Sequence, residues 1–98
     1  MPYMIETFDK PDTGALRQEL RPGHLEYLDK NKHLLLACGA KLLDDGVTGT
    51  GSFYIVDVDT REEAQAFIDG DPFTAGNLFD RIVISRWRKA YLNGQSYL

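Results

Sequence analysis

Three segments of this chain read as strands that are apolar on both sides. In Ser52 to Val58, Phe53 and Ile55 share one face while Tyr54, Val56 and Val58 share the other. In Leu34 to Ala40, Leu34, Leu36 and Cys38 oppose Leu35 and Ala37, and in Leu78 to Trp87, Ile82 and Ile84 oppose Val83 and Trp87. A sheet built from such strands must be covered twice. Two helices cover only one face of four strands. Sheet-to-sheet homodimerisation is the natural cover for the second face, and it adds burial that a chain of 98 residues is short of. Trp87, Val83, Tyr54 and Val56 are the candidates for buried interface or barrel positions, the side of each depending on register.

The remaining elements follow from periodicity and punctuation. Tyr3 to Phe8 is a short strand closed by Asp9-Lys10-Pro11-Asp12. Asp12 or Thr13 caps a helix running to about Asn31, with Leu16, Leu20, Tyr27 and Leu28 on one face and His24 among them. Pro22 removes the bond to the Gln18 carbonyl, so a kink or a fresh start is expected near Arg21. Asp44-Asp45-Gly46 and Gly49-Thr50-Gly51 read as a long, mobile hairpin tip. Thr60 and Glu63 form a capping box for a second helix, whose buried stripe is Ala64, Phe67 and Ile68 and which Gly70 ends. A loop from Asp71 to Gly76 leads to the last strand, and Ala90 to Leu98 is a polar tail without periodicity. Strand, helix, strand, strand, helix, strand is the α+β, ferredoxin-like βαββαβ arrangement, with a four-stranded antiparallel sheet in a single domain over residues 1–98.

Composition narrows the function classes. The net charge of −4 argues against a general nucleic-acid binder, which needs a basic face. Arg81, Arg86, Arg88 and Lys89 are basic residues on an edge strand and its exit. No apolar run approaches the roughly 18–20 residues of a membrane span, and Met1 to Glu6 does not read as a signal peptide. Cys38 is the only cysteine, which leaves neither disulfide nor zinc-type CxxC spacing, and a cytoplasmic location is expected.

Chemistry concentrates on few residues. His24 on an apolar helix face is open to three readings: a hydrogen-bonded core histidine, a metal ligand, or an acid/base group lining a pocket. No second histidine or cysteine stands three or four residues away, which disfavours metal. Asp71 before Pro72 is a standard helix start, with Asp71 as N-cap. It is equally placed to accept a bond from the His24 ring, and a carboxylate has oxygens for both tasks. Arg21, three residues before His24, suits a substrate carboxylate, or a pairing with Glu19, Asp71 or a partner subunit. His33 reads as a solvated residue at a helix end, Cys38 as a small core residue, and Gly46, Gly49 and Gly51 as turns rather than a phosphate loop. No motif for a redox cofactor or a metal is visible.

Taken in order, Arg21-Pro22-Gly23-His24-Leu25-Glu26-Tyr27-Leu28, Leu36-Ala37-Cys38-Gly39-Ala40, Glu62-Glu63-Ala64 with Phe67, and Asp71-Pro72-Phe73-Thr74-Ala75-Gly76 resemble the YciI-like (YCII-related) domain over positions 3 to 88. Cys38 before Gly39 departs from the glycine or alanine commoner there, and the tail from Lys89 lies outside the match. The resemblance implies a dimeric α/β barrel fold, with a histidine and an aspartate falling on His24 and Asp71 as the active site. It implies lyase-like proton transfer, since some relatives remove chloride by elimination from small ring-cleavage products.

Two hypotheses follow. In the first, the chain is a small cytoplasmic enzyme: Arg21 orients a carboxylate- or enol-bearing metabolite, His24 moves a proton, and Asp71 holds the imidazole. In the second, the same pocket binds a metabolite without catalysis, as an accessory module.

Overall fold

The computed structural model describes residues 1–98 and is α+β. In chain order the elements are β1 (Tyr3–Asp9), α1 (Gly14–Lys30), β2 (Leu35–Leu42), β3 (Gly49–Val56), α2 (Arg61–Asp69), the short α3 (Pro72–Ala75), β4 (Phe79–Arg86), and a small hairpin of β5 (Tyr91–Leu92) and β6 (Gln95–Ser96). The four long strands form one sheet in the order β2-β3-β1-β4, every neighbouring pair antiparallel. This is the ferredoxin-like βαββαβ arrangement expected from the sequence.

Register decides which face each side chain takes. Tyr3, Ile5 and Thr7 of β1 stand opposite Val56, Tyr54 and Ser52 of β3, and these alternate positions point beneath the helices. There they meet Ala64, Phe67 and Ile68 of α2; Ile5, Tyr54, Val56, Ala64 and Ile68 have no exposed surface. Each large apolar side chain buried in this way stabilises the fold by roughly 1.5–3 kcal/mol. The other face carries Met4, Glu6 and Phe8 beside Ile55, Phe53 and Gly51 on one flank and Ser85, Val83 and Arg81 on the other. Tyr54 and Val56 therefore belong to the core under the helices and not to a face open to a second chain. Val83 lies on the open face.

Five expectations need correction. First, α1 is continuous from Gly14 to Lys30 with Pro22 inside it, so of the two outcomes expected at Pro22 the fresh start near Arg21 does not occur. Proline deletes one bond, but the helix is tied down on both sides of it, by Arg17 to Asp9 and by His24 to Asp71. Second, Gly49 and Gly51 belong to β3, so the β2–β3 connection is short. Asp45 orders it by accepting from the amides of Val47 and Thr48 and from the Thr48 hydroxyl. Third, β2 shifts register between Leu35 and Ala37, which brings Leu35 and Cys38 to the same face opposite Val56 and Tyr54. Fourth, the capping box is half formed. The Thr60 hydroxyl accepts from the Glu63 amide and donates to the Glu63 carboxylate, which does not return to the Thr60 amide. Fifth, the tail is not featureless: Asn93 and Gly94 have φ of 52° and 75°, the left-handed pair of a two-residue hairpin turn.

Thr13 is the N-cap residue of α1, yet its hydroxyl donates to the Lys10 carbonyl and caps no amide. Gly70 closes α2 with an ordinary φ of −80°; its need for glycine is steric, because a Cβ there would stand 2.7 Å from the Tyr27 hydroxyl. No helix is long and apolar enough to cross a membrane.

Candidate functional site

The inward stripe of α1 carries two polar residues, Arg17 and His24, both buried. His24 faces the start of α3. Its Nδ1 lies 2.9 Å from Oδ1 and 2.8 Å from Oδ2 of Asp71. Asp71 is the N-cap of α3, and its Oδ1 accepts from the Phe73 amide at 2.9 Å. From the sheet, the Tyr54 hydroxyl donates to Oδ2 at 2.9 Å. Asp71 has no exposed surface, and a carboxylate so placed is tolerable only because three groups bond it. Capping and histidine pairing thus coexist on one side chain.

The network also fixes the histidine. An ionised carboxylate only accepts, so Nδ1 of a neutral imidazole carries the proton and Nε2 carries the lone pair. Both contacts of the ring with Asp71 use Nδ1, and Nε2 has no hydrogen-bond partner in the chain. The Phe73 ring stacks on the imidazole with centroids 3.8 Å apart and planes at 14°, and the Tyr54 ring meets it edge-on at 6.4 Å. These contacts hold the imidazole at the wall of a cavity of about 260 Å³ between α1 and β2. The cavity is lined by Arg17, Arg21, His24, Leu25 and Leu28 of α1, Cys38, Gly39 and Ala40 of β2, and Phe73.

Two arginines border this space with different status. Arg21 is exposed and forms no ion pair in the chain; it pairs with neither Glu19 nor Asp71. Its guanidinium is free to meet an anion. Arg17, which the sequence reading did not single out, is tied down. It donates to Asp9 Oδ2 at 2.7 Å, to the Gly51 carbonyl at 3.1 Å and to the Ser52 hydroxyl at 3.4 Å, and its guanidinium lies 4.9 Å from the centre of the Phe73 ring. One signal pointed to it: Arg17 sits beside Leu16, seven residues before His24, on a stripe that is otherwise apolar. Tyr54, also missed, gave no signal beyond being an aromatic residue in a strand.

The buried charge acts on its neighbours. Tyr54 is pushed well above the ordinary phenol range by burial, by the Asp71 charge and by its bond to that carboxylate, so its hydroxyl stays a donor. Cys38 is exposed beside the cavity and is not the small core residue expected from the sequence. Desolvation and then the Asp71 charge also raise Tyr27, and push the Cys38 thiol up to about 11.

An antiparallel sheet with helices on one face, and a helix-borne histidine held by a capping aspartate beside a cleft, defines a class of small ferredoxin-like proteins. Within that class the chain belongs to the YCII-related family, whose domain pattern matches residues 1–88. Protein YciI of Escherichia coli O6:H1 is 31% identical, the alignment covering 93% of this chain and all of that one; Protein YciI of Shigella flexneri matches to the same extent. Among solved structures, 5-chloro-2-hydroxyhydroquinone dehydrochlorinase (TftG) from Burkholderia phenoliruptrix, in complex with 2,5-dihydroxybenzoquinone, superposes with a TM-score of 0.82 at 31% identity. The match covers 90% of this chain and 94% of that one.

Proposed function

We propose that this protein is a cofactor-free acid–base enzyme acting on a small, anionic, carboxylate- or enol-bearing metabolite, in lyase- or isomerase-like proton transfer. The observation that carries the reading is the His24–Asp71 pair at 2.8 Å, with Nε2 unpartnered in the chain and His24 among the residues that line the cavity. Nε2 removes a proton from an acidic C–H or O–H of the ligand. Asp71 stabilises the imidazolium that results, and the same nitrogen returns the proton to another atom or releases it after a leaving group departs. Arg21 holds the oxygen on which negative charge develops. Leu25, Leu28 and Phe73 give the cavity an apolar wall against which a flat ligand lies. The similar TftG is by name a dehydrochlorinase, and the ligand in its complex is a small planar dihydroxyquinone. That supports testing hydroxyquinones first.

The test is a screen of small carboxylates, lactones and hydroxyquinones by thermal shift and turnover, on wild type, His24→Gln and Asp71→Asn. Both variants are expected to fold, with a loss of about 1–2 kcal/mol each, and to lose turnover. Ligand binding at wild-type affinity with no turnover by any form supports the accessory-module alternative. Turnover retained by His24→Gln refutes the mechanism.

We further propose that the chain works as a cytoplasmic homodimer joined through the sheet face bearing Met4, Phe8, Phe53, Ile55 and Val83. In support, Met4, Phe8, Phe53 and Val83 on that face are only half-buried within the chain, around a buried Ile55. The carboxylate at its centre, Glu6, is already paired, Lys41 lying 3.2 Å from it and 3.5 Å from the centre of the Phe8 ring.

A further inference from the structure

We infer that Tyr54 is a positioning residue that keeps Asp71 an acceptor and so keeps the His24 proton on Nδ1; the inference rests on the acid–base reading of His24. The geometry is specific. Tyr54 reaches up from the centre of the sheet, wholly buried, and its hydroxyl donates to Oδ2 at 2.9 Å. Oδ2 is also the oxygen nearer the imidazole, at 2.8 Å, while Oδ1 is occupied by the Phe73 amide. The carboxylate thus takes one donor from each of three elements: the ring from α1, the hydroxyl from β3, the amide from α3. No cation pairs with it directly, since the other charged residues near the cleft are Arg17, bound to Asp9, and Arg21, which makes no ion pair. Tyr27 and Cys38, which sense the Asp71 charge, are not bonded to it: the Tyr27 hydroxyl donates to the Phe67 carbonyl.

Without the Tyr54 hydroxyl, Oδ2 keeps the imidazole as its only partner. A buried carboxylate short of a donor is costly. The less costly state takes one proton from solvent onto Asp71. That proton then bonds to a bare Nδ1, and the imidazole hydrogen moves to Nε2. The ring remains neutral and packed, but Nε2 no longer carries a lone pair. Tyr54 therefore touches no ligand and acts through Asp71.

The test uses full-length protein with ¹⁵N-labelled histidine, read by the two-bond nitrogen–proton couplings that report the tautomer. Wild type is expected to show His24 as the Nδ1–H form. Tyr54→Phe, which removes only the hydroxyl, is expected to lose that pattern and gain the Nε2–H pattern, as is Asp71→Asn, whose amide also donates to Nδ1. A folded Tyr54→Phe protein that keeps the pure Nδ1–H pattern overturns the inference, because a purely structural role would lower the melting temperature and leave the tautomer alone. A second measurement covers a variant that does not fold. In wild type, the Tyr54 hydroxyl proton should exchange slowly with water and show a cross-relaxation peak to His24 Nδ1–H; fast exchange without that peak overturns the inference. None of these spectra needs a substrate, so failure here is separable from absence of turnover.

Discussion

The Phe73 ring lies almost parallel to the His24 imidazole, 3.8 Å away, while the backbone amide of the same residue donates to Asp71. One residue therefore locks the face of the imidazole and one oxygen of the carboxylate that holds it. The short helix α3 is the device that makes this possible. Its first turn starts at Pro72, so the Asp71 side chain turns back to its own N-terminal amides and points at α1.

Phe73→Leu separates these two roles. The amide bond to Asp71 survives, but the stacked wall is lost. A stability loss of about 1–3 kcal/mol is expected from reduced packing and aromatic contact, together with weaker ligand binding than the stability loss alone explains. Chemical denaturation and thermal shift with the best ligand of the screen measure the two effects. Unchanged ligand affinity would show that the ring has no part in the site.

Arg17 and Asp9 form an ion pair of 2.7 Å with side chains only 10% and 6% exposed, and Asp9 Oδ1 is buried without a partner in the chain. Removing one partner strands the other charge. Arg17→Met is expected to cost about 3–5 kcal/mol, and the double change Arg17→Met with Asp9→Leu distinctly less, because both charges are then gone. Urea denaturation of the single and double variants checks this. A double variant as unstable as the sum of its singles would show that the pair does not act as a unit.

The element order and the sheet were legible because each rests on local chemistry: alternation in Phe53 to Val58, helical spacing from Leu16 to Leu28, and the Asp-Pro start at 71; the His24–Asp71 pairing was one of several readings left open, and the resemblance pointed to it. What the sequence hid depends on long-range approach. Gly51 reads as a turn residue, yet it lies within β3, where a Cβ would stand 2.0 Å from the Thr7 carbonyl oxygen. Gly70 reads as a helix stop, yet it also makes room for Tyr27. Tyr54 is one aromatic among several until register places it beneath Asp71. Pro22 does not restart the helix because tertiary ties on both sides outweigh one missing bond. The hairpin at Asn93-Gly94 was readable from that dipeptide and was passed over for lack of periodicity around it.

The open sheet face gives a prediction about assembly. Sedimentation equilibrium at micromolar concentration is expected to return a dimer. Phe53→Asp, at the centre of the face beside Glu6 and Gly39, is expected to return a folded monomer. A wild-type protein that sediments as a monomer would rule out the assembly while leaving the cleft chemistry standing.

Cys38 offers a direct reading of the charge on Asp71. It is the only cysteine, so alkylation reports one site. Its thiol is pushed from 9.0 up to about 11, first by desolvation and then by the Asp71 charge. Iodoacetamide should therefore react slowly at pH 8 and accelerate until about pH 11, well past the point at which an ordinary thiol levels off. Asp71→Asn removes the charge and leaves the desolvation of the thiol by its surroundings, so the midpoint should move down part of the way and the rate at pH 9 should rise. The sign for stability follows by linkage. The unfolded chain releases this proton near the ordinary value and the folded chain holds it, so folding weakens as pH climbs between 9.0 and about 11. Tyr27 and Tyr54 shift in the same direction, so they add to this alkaline loss at still higher pH. A wild-type midpoint near the ordinary 9.0, or no change in Asp71→Asn, would mean that Cys38 does not sense a buried Asp71 carboxylate.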